Sequence, residues 1–122
     1  SDTVGFIRRL PTYMIKAFKS TLDDLVYSDL IILVVDLMDS KHEIQNKYIE
    51  CKTIMESLGI ENEKIIIACN KIDKITKSDI KSKIDFLNNN TANMFLISAK
   101  TGFGVKGMVS HITTYIEAII NN

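Results

Sequence analysis

The 122 residues carry fifteen Lys and Arg against fifteen Asp and Glu, are 46% hydrophobic and contain one proline. A chain of this length is one domain, able to bury roughly two thirds of its unfolded surface, and the composition excludes a disordered segment. The zero net charge excludes a global field toward nucleic acid or membrane, so such a contact has to come from a local patch.

Ser1 to Gly5 reads as the end of a strand running into a loop, and Phe6 to Pro11 as a mixed apolar and basic loop. From Thr12 to Tyr27, Met14, Phe18, Leu22 and Leu25 recur at helical spacing, with Lys16, Lys19, Asp23 and Asp24 largely off that stripe. Leu30 to Asp36 is the most apolar strand in the chain. Ser40 followed three residues later by Glu43 fits a capping box. It opens a helix through Ile44, Tyr48, Cys51, Met55 and Leu58, with Gly59 as its stop.

Ile65 to Cys69 is a run of small and apolar residues, three of them β-branched. It reads as a strand buried on both faces, as in a parallel sheet covered by helices. The run stops abruptly at Asn70-Lys71-Ile72-Asp73. Thr76 with Asp79 marks a second helix start, for a helix that uses Ile80, Ile84 and Leu87 and is broken by Asn88-Asn89-Asn90. A strand from Met94 to Ile97 then leads to Ser98-Ala99-Lys100-Thr101-Gly102. The final helix carries Val105, Met108, Val109, Ile112, Ile116 and Ile119 on one face. The order αβαβαβα, without repeat or linker, predicts an α/β fold with parallel strands joined by right-handed crossovers.

In such a sheet ligands sit beyond the carboxyl ends of the strands, where Asn70-Lys71-Ile72-Asp73 falls. The residue types suit a guanine base. An Asp carboxylate accepts from two N–H groups on the base edge, an Asn amide donates and accepts beside it, and a Lys stem lies along the base plane. Taken alone, a polar tetrad after a strand equally fits a solvated turn. Two further stretches favour the base site: Asp2-Thr3-Val4-Gly5 and Ser98-Ala99-Lys100. In order and spacing the three resemble the third, fourth and fifth signature motifs of the small GTP-binding proteins. The run Gly5-Phe6-Ile7-Arg8-Arg9-Leu10-Pro11, with Ala17-Phe18 and Thr21-Leu22, resembles the HflX family of ribosome-associated GTPases. That resemblance covers essentially the whole chain.

The resemblance implies a partial P-loop GTPase, a Rossmann-like three-layer α/β/α fold around a parallel sheet. It implies nucleotide binding by Asp2, Gly5, Asn70, Lys71, Asp73, Ser98, Ala99 and Lys100. Asn70, Lys71 and Asp73 would recognise guanine, with Asp73 discriminating against adenine. The Ala99 N–H would reach the guanine oxygen, with Lys100 packed beside the base. Asp2 would act through a water on Mg²⁺, and Gly5 would offer its N–H to the γ-phosphate. Phe6 stands where Ras-like proteins carry the water-orienting Gln, so no catalytic residue is assigned in this chain. Hydrolysis is then slow, or completed by a partner such as the ribosome. Phe6 to Pro11 matches switch II. The implied partners are GTP or GDP and the large ribosomal subunit, through rRNA and protein.

No Gly-x-x-x-x-Gly-Lys-[Ser/Thr] occurs in the 122 residues, nor a threonine-bearing first switch. The resemblance therefore implies that residues 1–122 are the C-terminal portion of a G domain, lacking P-loop and switch I and inactive alone. The Leu30 strand then lacks a neighbour, and a bare apolar edge invites pairing with another chain. With no apolar run of membrane-spanning length and no signal peptide, a cytoplasmic location is expected. Cys51 and Cys69 lack CxxC spacing and read as buried reduced thiols. Arg8 and Arg9 read as solvated, as do Lys74, Lys77 and Lys81 beside Asp79 and Asp85, and His42 and His111 read as surface residues. Two other readings stand beside the first: an Era- or Obg-like ribosome-assembly GTPase, and a nucleotide-free flavodoxin-like interaction module.

Overall fold

In the computed structural model the described residues are 21–89 and 93–121. The motif around Asp2, Gly5 and Phe6, the basic pair Arg8 and Arg9, the stripe residues Met14 and Phe18, and Asn90 lie outside them. The expected alternation holds. Residues 21–27 are helical (α1), followed by β1 (Ile31–Asp36), α2 (Lys41–Ser57), β2 (Ile65–Asn70), α3 (Lys77–Ile84), β3 (Asn93–Leu96) and α4 (Val105–Ile120). The strands form one sheet in the order β1-β2-β3. Both pairings are parallel, Ile31 lying opposite Ile65 and Ile67 opposite Met94.

Local chemistry sets the helix starts. The Ser40 hydroxyl accepts the Glu43 N–H at 3.1 Å while the Glu43 carboxylate accepts the Ser40 N–H at 3.4 Å, a closed capping box worth about 1 kcal/mol. Gly59 stops α2 with its N–H donating to the Glu56 carbonyl at 3.0 Å. Thr76 caps α3, its hydroxyl accepting the Asp79 N–H at 3.2 Å. That helix ends at Ile84 and tightens into a 3₁₀ turn over Asp85–Asn89, so the break comes a turn earlier than the asparagine run suggests. Leu87 is nonetheless buried.

β2 is the spine of the core, with every residue from Ile65 to Cys69 at most 2% exposed. Side chains alternate across a strand. Val35, Ile67 and Cys69 share one face with Leu33 and Met94, and pack there against Ile44 and Tyr48 of α2 and Ile80 and Ile84 of α3. On the other face Phe95 meets His111 of α4, with ring centroids 5.3 Å apart. The result is three layers, α2 and α3 on one side and α4 on the other. A second cluster, Ile31, Met55, Ile60 and Ile65, with Leu25 of α1 against it, closes the amino ends of the strands.

Three expectations are corrected, and β1 shows the bare flank expected of it. β1, the most apolar strand in sequence, leaves Ile32 and Val34 44% and 63% exposed. Among the described residues it has a strand neighbour on one side only. The α4 stripe splits: Val105, Met108 and Ile112 are half-buried, whereas Val109, Ile116 and Ile119 are exposed. A helix resting on one edge of a three-stranded sheet has too little surface beneath it to cover so wide a stripe. His111 is half-buried rather than a surface residue, and its Nε2 is 3.1 Å from the Asn93 amide nitrogen. Cys51 is half-buried, and only Cys69 is sealed in the core.

Candidate functional site: the rim at the carboxyl ends of the strands

β2 runs out of its ladder at Asn70. Lys71 then adopts a left-handed backbone, φ 79°, and Ile72–Lys74 form a 3₁₀ turn. A non-glycine residue in that region costs roughly 1–2 kcal/mol, so the turn is held by its surroundings. The ladder continues past β3, the Ile97 N–H donating to the Cys69 carbonyl at 2.8 Å, and the Ile72 N–H returns to the Ile97 carbonyl at 3.3 Å. The two loops are therefore locked at their roots.

Above the roots, side chains join them. Ser98 is wholly buried. Its hydroxyl donates to Asp73 Oδ1 at 2.9 Å and accepts the Thr101 N–H at 3.1 Å. The Ala99 N–H donates to Asn70 Oδ1 at 2.9 Å. The 98–104 turn closes on itself, with the Ser98 N–H on the Phe103 carbonyl at 3.0 Å and the Gly102 N–H on the Ser98 carbonyl at 2.8 Å. Gly104 lets α4 begin here. A Cβ at that position would lie 2.3 Å from the Leu96 carbonyl oxygen.

The end of β1 joins the same rim. Asp36 Oδ2 pairs with Lys71 Nζ at 2.8 Å, and Asp36 Oδ1 accepts the Met38 N–H at 2.8 Å. The Leu37 N–H donates to the Asn70 carbonyl at 3.2 Å. The hydrogen bond from Lys71, reinforced by that from Met38, holds the Asp36 carboxyl below its ordinary value of 3.8. The sequence reading did not single out Asp36. An acidic residue ending an apolar strand, on the rim where the tetrad sits, was the available signal.

The structure thus brings Asn70, Lys71, Asp73, Ser98, Ala99 and Lys100 to one rim. Asp2, Gly5 and Phe6 lie outside the described residues. Asp73 is exposed, with one oxygen held by Ser98 and no second hydrogen bond among the described residues. The rim offers an outward carboxylate acceptor, an amide beside it and a lysine stem crossing toward β1. The Ala99 N–H, expected to meet a base oxygen, is engaged by Asn70. A separate cavity of about 350 Å³ between β1 and α2 shares only Asp36 with the rim. Its charged Asp39 and Lys47 pair with each other at 3.0 Å. Among the described residues no three His, Cys, Asp or Glu side chains are grouped to hold a metal ion, and no helix is long and apolar enough to cross a membrane.

The family model of the elongation factor Tu GTP binding domain matches residues 18–118, and the chain belongs to that family of GTP-binding domains. Its curated relatives are more particular. The chain is similar to the GTPase HflX of Chlamydia pneumoniae, 36% identical over 118 residues, which is 96% of this chain and 24% of the relative. It is similar to the GTPase HflX of Methanocaldococcus jannaschii, 40% identical over 100 residues, 82% of this chain and 25% of the relative. It is also similar to that of Escherichia coli strain K12, 32% identical over 113 residues, 93% of this chain and 26% of the relative. The chain spans about a quarter of the length of these relatives. No solved structure matches.

Proposed function

We propose that this chain supplies the guanine-recognising rim of an HflX-like GTPase, and that residues 1–122 are the C-terminal portion of its G domain. The observation that carries the reading is the pair of contacts joining the two loops: Ser98 on Asp73, and Ala99 on Asn70. Loops tied in this way form a preorganised edge, and preorganisation reduces the ordering cost of binding.

In this reading the free side of the Asp73 carboxylate accepts from the N1–H and exocyclic amine of guanine, which adenine cannot match. Asn70 fixes the neighbouring loop, and the Lys71 stem lies along the base. The Ala99 N–H is shared between Asn70 and the base oxygen, as three-centre bonds allow. The Lys100 side chain flanks the base. Asp2 would help to hold Mg²⁺, and Gly5 would meet the γ-phosphate. When bound, the metal would supply charge stabilisation for the hydrolysis of GTP to GDP and phosphate.

The matched GTP binding domain family favours this over the nucleotide-free interaction module. The HflX relatives favour it over the Era- or Obg-like alternative. Coupling to the large ribosomal subunit in the cytoplasm rests on the resemblance of the Gly5 to Pro11 run. The 122 residues alone are read as inactive. Titration of the full-length protein with a fluorescent GDP analogue tests the base site, with GTP and GDP expected to displace it and ATP not. Displacement by ATP at equal concentration overturns the reading. Cosedimentation with large subunits, stronger with a non-hydrolysable GTP analogue than with GDP, tests the coupling.

A further inference from the structure

We propose that Asp36 is a positioning residue for the guanine site: anchored at the end of the neighbouring strand, it fixes where the Lys71 side chain lies. The proposal rests on the base-site reading and adds to it a residue that does not touch the base. Lysine is flexible, with a large rotamer entropy. Its usefulness as a flank for a planar ring therefore depends on something holding its far end. Here the backbone of Lys71 is left-handed, and its ammonium is carried back across the sheet to Asp36 Oδ2 at 2.8 Å.

Asp36 suits the task because it is anchored at both backbone and side chain. It lies opposite Asn70 in the β1–β2 ladder, and its other oxygen accepts the Met38 N–H at 2.8 Å. The nearby Asp39 pairs with Lys47, which leaves Asp36 as the carboxylate that Lys71 meets among the described residues. The two side chains of the pair are 41% and 40% exposed. Attraction between such charges contributes little to stability, so orientation of the stem is the larger consequence. A backbone held in a sparsely populated conformation at a rim of this kind is the sort of feature from which a functional role is inferred.

The test is a double-mutant cycle in the full-length protein, read by affinity and dissociation rate of a fluorescent GDP analogue. Asp36→Asn keeps the shape and the acceptor for Met38 but removes the charge. It should weaken binding about three- to fivefold, the range of half-exposed ion pairs, through faster dissociation, with only a small drop in the thermal midpoint. In a Lys71→Met background the same substitution should change nothing further. If Asp36→Asn unfolds, Asp36→Glu carries the same cycle, keeping the charge at altered reach. Unchanged affinity in Asp36→Asn overturns the proposal, as does an equal loss with and without Lys71, which marks a purely structural role. Failure of the unmodified protein to bind guanine nucleotide overturns the base-site reading itself, and this role with it.

Discussion

Ser98 and Asp73 stand 25 positions apart in the chain and meet at 2.9 Å, a fully buried hydroxyl donating to an exposed carboxylate. The contact divides the labour between the two Asp73 oxygens. One is held by a buried side chain, and the other has no hydrogen bond among the described residues. The same hydroxyl accepts the Thr101 N–H, so Ser98 braces two loops from a single buried point. Ser98→Ala leaves the Thr101 N–H without its acceptor and the Asp73 carboxylate without its donor. The expected cost is about 1–3 kcal/mol, read as a lower midpoint in denaturant unfolding, with weaker GDP binding alongside.

Gly102 and Gly104 look alike in sequence and differ in surroundings. Both have positive φ, at 85° and 74°, but a Cβ at Gly102 meets nothing within 4 Å, whereas one at Gly104 would press on the Leu96 carbonyl oxygen. Gly102→Ala should cost only the left-handed backbone term, about 1–2 kcal/mol. Gly104→Ala carries that term plus a clash with backbone that has to shift, and should be the more destabilising of the two by thermal unfolding. Equal midpoints for the two variants would contradict the close approach of α4 to β3.

Asp36 should also leave a mark on acid stability. Its folded-state carboxyl titrates below the ordinary value because of Lys71 first and Met38 second. A carboxylate with a depressed folded pKa contributes stability above its unfolded value, and loses it as pH falls through the folded one. Asp36→Asn should therefore be less stable than the unmodified protein at neutral pH. The gap should close as pH drops below 3.8, the ordinary value, in urea titrations across that range.

Much of this was legible in the chain itself. The β-branched run Ile65 to Cys69 ending in Asn70-Lys71-Ile72-Asp73 placed a buried strand and a rim loop together, and the Ser40–Glu43 spacing placed the start of α2. Other features depend on contacts that no local pattern carries. Periodicity groups Val109, Ile116 and Ile119 on one face of α4, yet says nothing about what lies beneath that face. The Asp36–Lys71 pair joins residues 35 apart through adjacent strands, and only strand order reveals it. The left-handed backbone of Lys71 has no signature, because lysine rarely adopts it.

The exposed Ile32 and Val34 of β1 lead to a further expectation for the 122-residue polypeptide made alone. An unpaired apolar edge templates pairing with another chain, and charged side chains on the edge suppress it. Sedimentation should show self-association that rises with concentration, and Val34→Lys should reduce it. A clean monomer at high concentration would argue that the edge is protected.

The most direct measurement is base specificity after Asp73→Asn in the full-length protein, comparing GDP with xanthosine diphosphate. An amide in place of the carboxylate loses the acceptor for the guanine N–H groups and gains a donor for the 2-oxo edge of xanthine. GDP affinity should fall about 10- to 100-fold, the scale of a lost charged hydrogen-bond pair, and xanthosine diphosphate should become the tighter ligand. Unchanged GDP affinity, or an equal loss for both bases, would mean that Asp73 does not read the base.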